Sequence, residues 1–270
     1  MPATGNKSYR PLTLSIRIFA DGFSFFVCDL QTAGLIRGEH FERDEVQFHE
    51  RLAKELARPE YLNPQIAQAY VLVDGPTTYV PLDHFRRDEA NDIYRFTIRR
   101  TETDLSVGYT ILPTLEVVEL YALPREVEDI ILQFHPTARF FARTAELLER
   151  LVHYQAPRPN ALHLYQPDSG TLFAAAIRGD AFCMANTYEV SSQADTLYFA
   201  LNLWNTLGMN AATDSIVVIG HPTQKLKDLQ NAIAEYLPDV SILTPEQLFP
   251  AVALTREKQV PLDLMSLLIR

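Results

Sequence analysis

Several features that would assign a chemistry are scarce or missing in these 270 residues. There are only two cysteines, Cys28 and Cys183, and both lie inside apolar runs, so we expect buried free thiols. The seven histidines form no His-x-x-Glu-His or similar cluster, and no Gly-x-Ser-x-Gly elbow or Walker loop occurs. The sequence therefore predicts no metal site and contains none of the commoner catalytic motifs.

Positive charge and long apolar runs are also lacking. A net charge of −10 argues against nucleic acid or an anionic membrane as the main partner. No apolar run approaches the roughly 18 residues that a spanning helix needs. The opening "MPATGNKSYRP" is not followed by the apolar segment of a secretory signal. We therefore expect a cytoplasmic protein with no membrane insertion.

What the sequence does contain is the same order of elements in its two halves. From Leu12, three apolar runs are separated by Asp21-Gly22, a strong hairpin signal, and by Ala33-Gly34. A helix candidate, "DEVQFHERLAKELARP", follows, then the apolar strand "AQAYVLVDGP" and a second helix candidate, "LDHFRRDEANDIYRF". The first half therefore reads strand, strand, strand, helix, strand, helix.

The second half repeats this order from Asn160. Its three apolar runs are separated by Pro-Asp-Ser-Gly and Arg-Gly-Asp, and a helix begins at about Ser192, with Asp195 completing an approximate capping box. The strand "DSIVVIGHP" and the helix "TQKLKDLQNAIAEYLP" follow. Strands that return through helices pair in parallel and are covered by those helices, so we predict an α/β fold with mixed sheets flanked by helices.

The repeat suggests two lobes of similar topology. We predict an N-terminal ribonuclease H-like lobe over residues 1–154, with an inserted or extended segment at about 97–153. A C-terminal ribonuclease H-like lobe would occupy residues 155–270, and the proline-containing "QAPRPN" would join the two.

A duplicated unit of this kind resembles the actin-like ATPase superfamily of sugar kinases, Hsp70 chaperones and actin. The stretch "FCMANTYEVSSQADTLYFALNLWNTLGMN" is similar to an uncharacterised Bacteroidota family that adopts an actin-like ATPase fold. Its members tend to carry an Asn and an aromatic residue before an acidic residue and a Tyr, here Asn186, Tyr188, Asp195 and Tyr198. The resemblance implies a two-lobed actin-like ATPase fold.

In that superfamily ATP lies between the lobes, where two hairpin turns hold the phosphates and a Gly-Gly turn meets the adenosine. The resemblance implies a first hairpin at residues 20–24, a second at 168–171 and an adenosine turn at 220–221. The implied candidates for cofactor binding are Ser24, Asp168, Ser169, Gly170, Thr171, Gly220 and His221. The candidates for catalysis are Asp21, Asp74 and Asp168.

The match to the superfamily pattern is partial. Asp168 to Thr171 fits Asp-x-Gly-Thr, although the same residues also suit an ordinary type I turn. In the first hairpin, bulky Phe23 stands where a small residue would let a phosphate approach. At the adenosine turn, His221 replaces the second glycine. Asp74 follows an apolar strand, at the sheet edge where ligands prefer to bind.

Two functions remain open from these residues. The first is a non-catalytic or weakly nucleotide-binding interaction module with eroded phosphate loops, no cofactor, and a protein partner or a second copy of itself. Its partner surface would include Tyr79, Phe85, Tyr94 and Phe96, unless these aromatic residues belong to the core. The alternative is an active ATPase or phosphotransferase that uses ATP and Mg²⁺. The sequence favours the first and leaves the question of an enzyme open.

Overall fold

The structure is a computed structural model. It describes residues 11–19, 22–29, 32, 34–42, 48–99, 104–154, 156–166, 170–250 and 261–267.

Thirteen strands lie in these described ranges. They are β1 (Leu12–Phe19), β2 (Gly22–Asp29), β3 (Gly34–Glu42), β4 (Ile66–Val73), β5 (Thr78–Pro81), β6 (Leu105–Leu112), β7 (Val117–Pro124), β8 (Arg139–Ala142), β9 (Asn160–Tyr165), β10 (Thr171–Arg178), β11 (Ala181–Glu189), β12 (Asp214–Ile219) and β13 (Val240–Leu243).

Eight α-helices occur in the same part of the chain. They are α1 (Phe48–Leu56), α2 (Ala90–Ile98), α3 (Arg125–Phe134), α4 (Ala145–His153), α5 (Gln193–Thr206), α6 (Gln224–Ala234), α7 (Pro245–Leu248) and α8 (Leu262–Leu267).

Two five-stranded sheets repeat one topology. The first has the order β3-β2-β1-β4-β8 and the second the order β11-β10-β9-β12-β13. In each sheet the first three strands in the chain are antiparallel, and the last two extend the sheet in parallel. The strand that completes the first sheet, β8, comes from the segment at about 97–153. A separate three-stranded antiparallel sheet, β5-β7-β6, lies mostly in that segment.

The two halves share one hydrophobic core. The largest buried cluster includes Ile16 and Leu148 from the first half, and Phe173 and Ile219 from the second. On the α1 side of the first sheet, Phe23 packs among other aromatic side chains, with its ring 4.8 Å from that of Phe41. Because the core is continuous, the two sheets are held against each other by apolar burial as well as by polar contacts.

Three local predictions can be compared with the structure, and only part of them is confirmed. The capping box of α5 is confirmed: Ser192 Oγ accepts from the Asp195 N–H at 3.2 Å, and the Asp195 carboxylate accepts from the Ser192 N–H at 2.9 Å. The helix predicted over residues 82–96 begins only at Ala90, after two 3-10 turns. Phe85 breaks it, because its backbone is extended and its ring packs 5.0 Å from Tyr109.

The third concerns the two thiols. Cys28 is buried as expected, whereas the prediction that Cys183 is buried is wrong. β11 is an edge strand of its sheet, and Cys183 lies at the register shift where β11 has one residue more than β10, between Phe182 and Met184. An apolar run alone does not reveal which strand forms a sheet edge.

Candidate functional site

The candidate site lies where the carboxyl ends of parallel strands from both sheets come together. β1, β4 and β8 run parallel, so they end at the same edge of the first sheet. β9, β12 and β13 end at one edge of the second sheet. The edges are joined by a hydrogen bond of 3.0 Å from Arg143 Nη2 to Thr171 Oγ1. Open α/β sheets bind ligands at such edges.

Arg143 connects candidate residues from the two halves of the chain. It follows β8 directly, and its backbone N–H donates to the carbonyl of Val73 at 2.9 Å. That bond brings its guanidinium to the end of β4, where Nη2 lies 3.0 Å from Asp74 Oδ1. The side chains of Arg143 and Asp74 are only 2% and 7% exposed. The catalytic candidate Asp74 and the phosphate-loop candidate Thr171 are therefore brought together, with an arginine between them.

A second buried pair adjoins the first. Arg17, near the end of β1, donates from Nε and Nη2 to Asp263 Oδ2, at 3.1 and 2.8 Å. The same carboxylate oxygen lies 3.8 Å from Arg143 Nε, and the Asp263 side chain is 1% exposed. Asp263 belongs to α8, so a residue near the end of the chain enters the edge of the first sheet. We call Arg17, Arg143, Asp74 and Asp263 the arginine–aspartate network.

The network restricts what the site can do chemically. A general base needs a carboxylate that can reach a substrate proton, and Mg²⁺ prefers carboxylates that are not already neutralised by a cation. Asp74 faces a buried guanidinium, whose positive charge also opposes a metal ion at the same place. Arginine donors also suit phosphate and carboxylate groups, and in the network both arginines face aspartates of the chain itself.

The first predicted hairpin contributes one described candidate. Asp21 lies outside the described residues. Ser24 pairs with Arg17 across β1 and β2, so it lies on the same face as the network. Ser24 is buried, and its Oγ has no hydrogen-bond partner among the residues described. Phe23, by contrast, lies on the opposite face of the sheet with α1, so its ring does not obstruct the network side.

The second predicted hairpin is described only in part, since Asp168 and Ser169 lie outside the described residues. Gly170 is exposed, and its carbonyl accepts from the Val190 N–H at 3.0 Å. A Cβ atom added to Gly170 would meet no other atom within 4 Å. The described part of this loop therefore does not require glycine for space.

The predicted adenosine turn borders a cavity. Gly220 follows β12, has a φ of 148°, and donates its N–H to the Leu243 carbonyl at 3.0 Å. A cavity of about 240 Å³ lies beside it, lined among others by Tyr165, His221 and Lys225. Pro261 and Leu262, which lead into α8, form another part of its wall. The cavity and the arginine–aspartate network therefore share α8 as a common boundary.

Two buried ionisable groups were not found by sequence reasoning. Glu119 on β7 is fully buried and accepts hydrogen bonds of 2.8 Å from Tyr79 Oη and Thr144 Oγ1. Burial raises the pKa of Glu119, although the Thr144 and Tyr79 hydroxyls oppose this effect. His163 on β9 is also buried, and burial lowers its pKa to about 4. Each is a lone ionisable residue in a mostly apolar strand, and this pattern is only a weak indication of a functional residue.

Three residues of the network, Arg17, Arg143 and Asp263, were not candidates on sequence grounds, although the sequence around each contains a recognisable pattern. Arg17 interrupts the otherwise uncharged strand "LTLSIRIF", and Asp263 interrupts the apolar "PLDLMSLL". Charged side chains are rarely buried unless they are paired, so lone charges of opposite sign in two apolar elements suggest a buried pair. Arg143 follows the strand "RFFA" directly, at the ligand-binding edge.

The proposed aromatic partner surface is mostly internal. Tyr94 is buried, Tyr79 packs 5.3 Å from the Phe182 ring, and Phe85 packs on Tyr109. Phe96, on α2, is 84% exposed. Of the four aromatic residues, Phe96 alone presents its ring broadly to solvent.

Within the described ranges, no helix has the length and apolar character needed to cross a membrane. The same residues include no group of three or more His, Cys, Asp and Glu side chains placed to hold a metal ion.

Comparisons with known proteins identify the fold. The family described as "Protein of unknown function (DUF3822)" matches residues 6–240. No curated protein matches the chain. A solved structure from Bacteroides thetaiotaomicron, described as a protein with actin-like ATPase fold and unknown function, is 19% identical, with a TM-score of 0.79 and 100% of both chains covered. This likeness shows that the chain has the actin-like ATPase fold, which confirms the predicted fold class.

Two more distant structures are also similar. The ethanolamine utilization protein EutJ from Carboxydothermus hydrogenoformans is 8% identical, with a TM-score of 0.48, and the match covers 98% of this chain and 90% of that one. The cytoplasmic domain of EpsL, from the type II secretion system of Vibrio cholerae, is 12% identical, with a TM-score of 0.45, and the match covers 93% of this chain and 97% of that one.

The family match over residues 6–240 confirms the predicted resemblance to a family of unknown function.

Proposed function

The chain belongs to the DUF3822 family, and we propose that it uses its actin-like ATPase fold as a non-catalytic or weakly nucleotide-binding interaction module. One observation carries the proposal: the buried Arg143 guanidinium lies between Asp74 and Thr171, which are the described candidates for base and phosphate-loop residue. The Asp74 carboxylate, which an ATPase would direct at Mg²⁺ or water, pairs with a cation of the protein itself, and the Thr171 hydroxyl accepts a hydrogen bond from the same cation.

The free energy needed to break the Arg143–Asp74 ion pair supports the proposal. A Mg²⁺–phosphate group at Asp74 and Thr171 would have to displace Arg143 from its buried carboxylate. Breaking a buried ion pair typically costs about 3–5 kcal/mol. A cost of about 3 kcal/mol lowers a binding constant by roughly a hundredfold or more. We therefore expect ATP with Mg²⁺ to bind in the millimolar range or not at all.

Calorimetric titration with ATP and Mg²⁺, together with a phosphate-release assay, tests the proposal on the full chain. We expect no turnover from the wild-type protein, and we expect Asp74→Asn to bind ATP no more weakly than Asp83→Asn, a matched control at an exposed aspartate. Micromolar binding with turnover that is lost in Asp74→Asn and retained in Asp83→Asn would overturn it.

As a module, the protein would act through a protein partner or a second copy of itself. The net charge of −10 disfavours nucleic acid as that partner. The exposed ring of Phe96 is the first position to test, with Tyr236, exposed on the second half, as the matched control. We expect Phe96→Ser, and not Tyr236→Ser, to weaken association in sedimentation measurements of the chain or of a captured complex. Equal effects would remove Phe96 from the proposed surface. The cytoplasm remains a sequence-based prediction.

The second candidate function is an ATPase or phosphotransferase that uses ATP and Mg²⁺. The cavity of about 240 Å³ beside Gly220 favours it, because the cavity lies at the predicted adenosine turn. In this case Asp168 and Thr171 would handle Mg²⁺ and phosphate, and Asp21 or Asp74 would act on the nucleophile. Asp168→Asn should then abolish hydrolysis; unchanged nucleotide affinity and hydrolysis would exclude this candidate.

A further inference from the structure

Helix α8 places an acidic side chain against two buried arginines. Leu262, Leu264 and Met265 are buried in the core, and Asp263 between them points at Arg17 and Arg143. Arg17 and Asp263 are 246 positions apart in the chain, so the partner of a first-lobe arginine is supplied by the last described helix. The carboxylate receives two hydrogen bonds from Arg17, as the anionic group of a bound small molecule would.

The surroundings of α8 strengthen this comparison. Pro261 and Leu262 form part of the wall of the cavity beside Gly220, and Asp263 is the next residue. The short helix α8 and the residue before it therefore contact both the cavity and the two arginines. Without α8 in this place, Arg17 would lose its aspartate and Arg143 would keep Asp74, so a net positive charge would remain where α8 now also closes the apolar wall of Ile219 and Leu226.

We propose that α8 is an autoinhibitory strap: Asp263 occupies, from within the chain, a site for the phosphate or carboxylate group of a small molecule whose body lies in the Gly220 cavity. The proposal concerns the same site as the proposed function and adds its regulation. The ligand binds without Mg²⁺, because two arginines facing the single carboxylate of Asp74 leave a net positive charge once Asp263 has moved away. Binding requires α8 to leave, so the wild-type protein binds such ligands weakly.

Calorimetry with Asp263→Asn tests the strap. Inorganic pyrophosphate probes the anion site alone, and ADP without Mg²⁺ probes the anion site together with the cavity. We expect both to bind Asp263→Asn at least tenfold more tightly than the wild-type protein, and the gain to disappear in Arg17→Met/Asp263→Asn. If Asp263→Asn bound ADP more tightly but not pyrophosphate, the ligand would lie in the cavity and not at the arginines, and the anion site would be overturned. A folded Asp263→Asn that gains no affinity, or a gain that persists in the double variant, would also overturn it.

Met265→Ala provides an independent test, because Met265 anchors α8 without contributing charge. We expect the same direction of change for pyrophosphate. Hydrogen exchange on the wild-type protein should show faster exchange over residues 261–267 than over α4, on which α8 packs. Exchange of α8 only through global unfolding, or loss of folding in both Asp263→Asn and Met265→Ala, would show that α8 is a fixed part of the core. Neither result depends on whether the wild-type protein hydrolyses ATP, so the strap and the non-catalytic function fail separately.

Discussion

Replacing the buried histidine His163 by methionine should remove one source of acid sensitivity from the fold. His163 is 1% exposed, and neither ring nitrogen has a partner of normal hydrogen-bond geometry among the described residues. Burial disfavours the charged imidazolium and lowers the pKa of His163 from 6.5 to about 4. The folded protein therefore holds the neutral ring at neutral pH.

The sign of the pH effect follows from this lowered pKa. As the pH falls below 6.5, the unfolded chain binds a proton at this histidine, whereas the folded protein does not until about pH 4. The free energy of unfolding therefore falls with pH across this window and levels off below it. With these two pKa values, His163 accounts for about 2 kcal/mol of the stability lost between pH 7.5 and pH 5.

Urea unfolding of the wild-type protein and of His163→Met at both pH values measures this contribution. Methionine fills a similar volume without an ionisable group, so the core remains packed. The same substitution at His153, an exposed histidine of α4, is the matched control for the loss of an imidazole. The reasoning is refuted if the wild-type protein and His163→Met lose the same stability between the two pH values, within about 0.5 kcal/mol.

Three further substitutions test other described contacts. Arg143→Met should lower the free energy of unfolding in urea by about 3–5 kcal/mol, because Asp74 loses its buried cation. Adding Asp74→Asn should recover part of that loss. A double variant no more stable than Arg143→Met would contradict the pairing. Glu119→Gln should melt at a higher temperature than the wild type at pH 7 but not below pH 4.5. Because the pKa of buried Glu119 is raised, the wild-type protein loses stability as the pH rises above 4.5. Equal melting temperatures of the two proteins at pH 7 would contradict this. Ser192→Ala should cost about 0.5–2 kcal/mol, and an unchanged melting temperature would argue against the cap.

Much of the fold was predictable because its signals are local. Apolar runs separated by Arg178-Gly179-Asp180 became the hairpin of β10 and β11, in which Gly179 has a φ of 63°. The start of α5 at Ser192 followed from hydroxyl and carboxylate groups three residues apart. The helix over residues 82–96 was predicted too long because the packing of Phe85 on Tyr109 overrides local helical preference.

The site was much less predictable. Asp74 and Thr171 were both candidates on sequence grounds, and the resemblance placed them in facing lobes. The cation between them was not foreseen, because Arg143 is distant in the chain from both residues and no local pattern couples it to them. A candidate residue's chemistry depends on its neighbours in space, and for a buried carboxylate the nearest cation decides whether it is a base, a metal ligand or half of an ion pair.

The sequence by itself determined two sets of strands and helices in the same order, since hydrophobic period and turn residues are properties of neighbouring positions. Only the tertiary structure decided what the groove between the sheets contains. Arg17 and Asp263 are separated by 246 positions, and no local pattern couples them. Their pairing exists because the ends of β1 and β8 and the helix α8 converge at one sheet edge, where a buried charge is stable only beside its opposite.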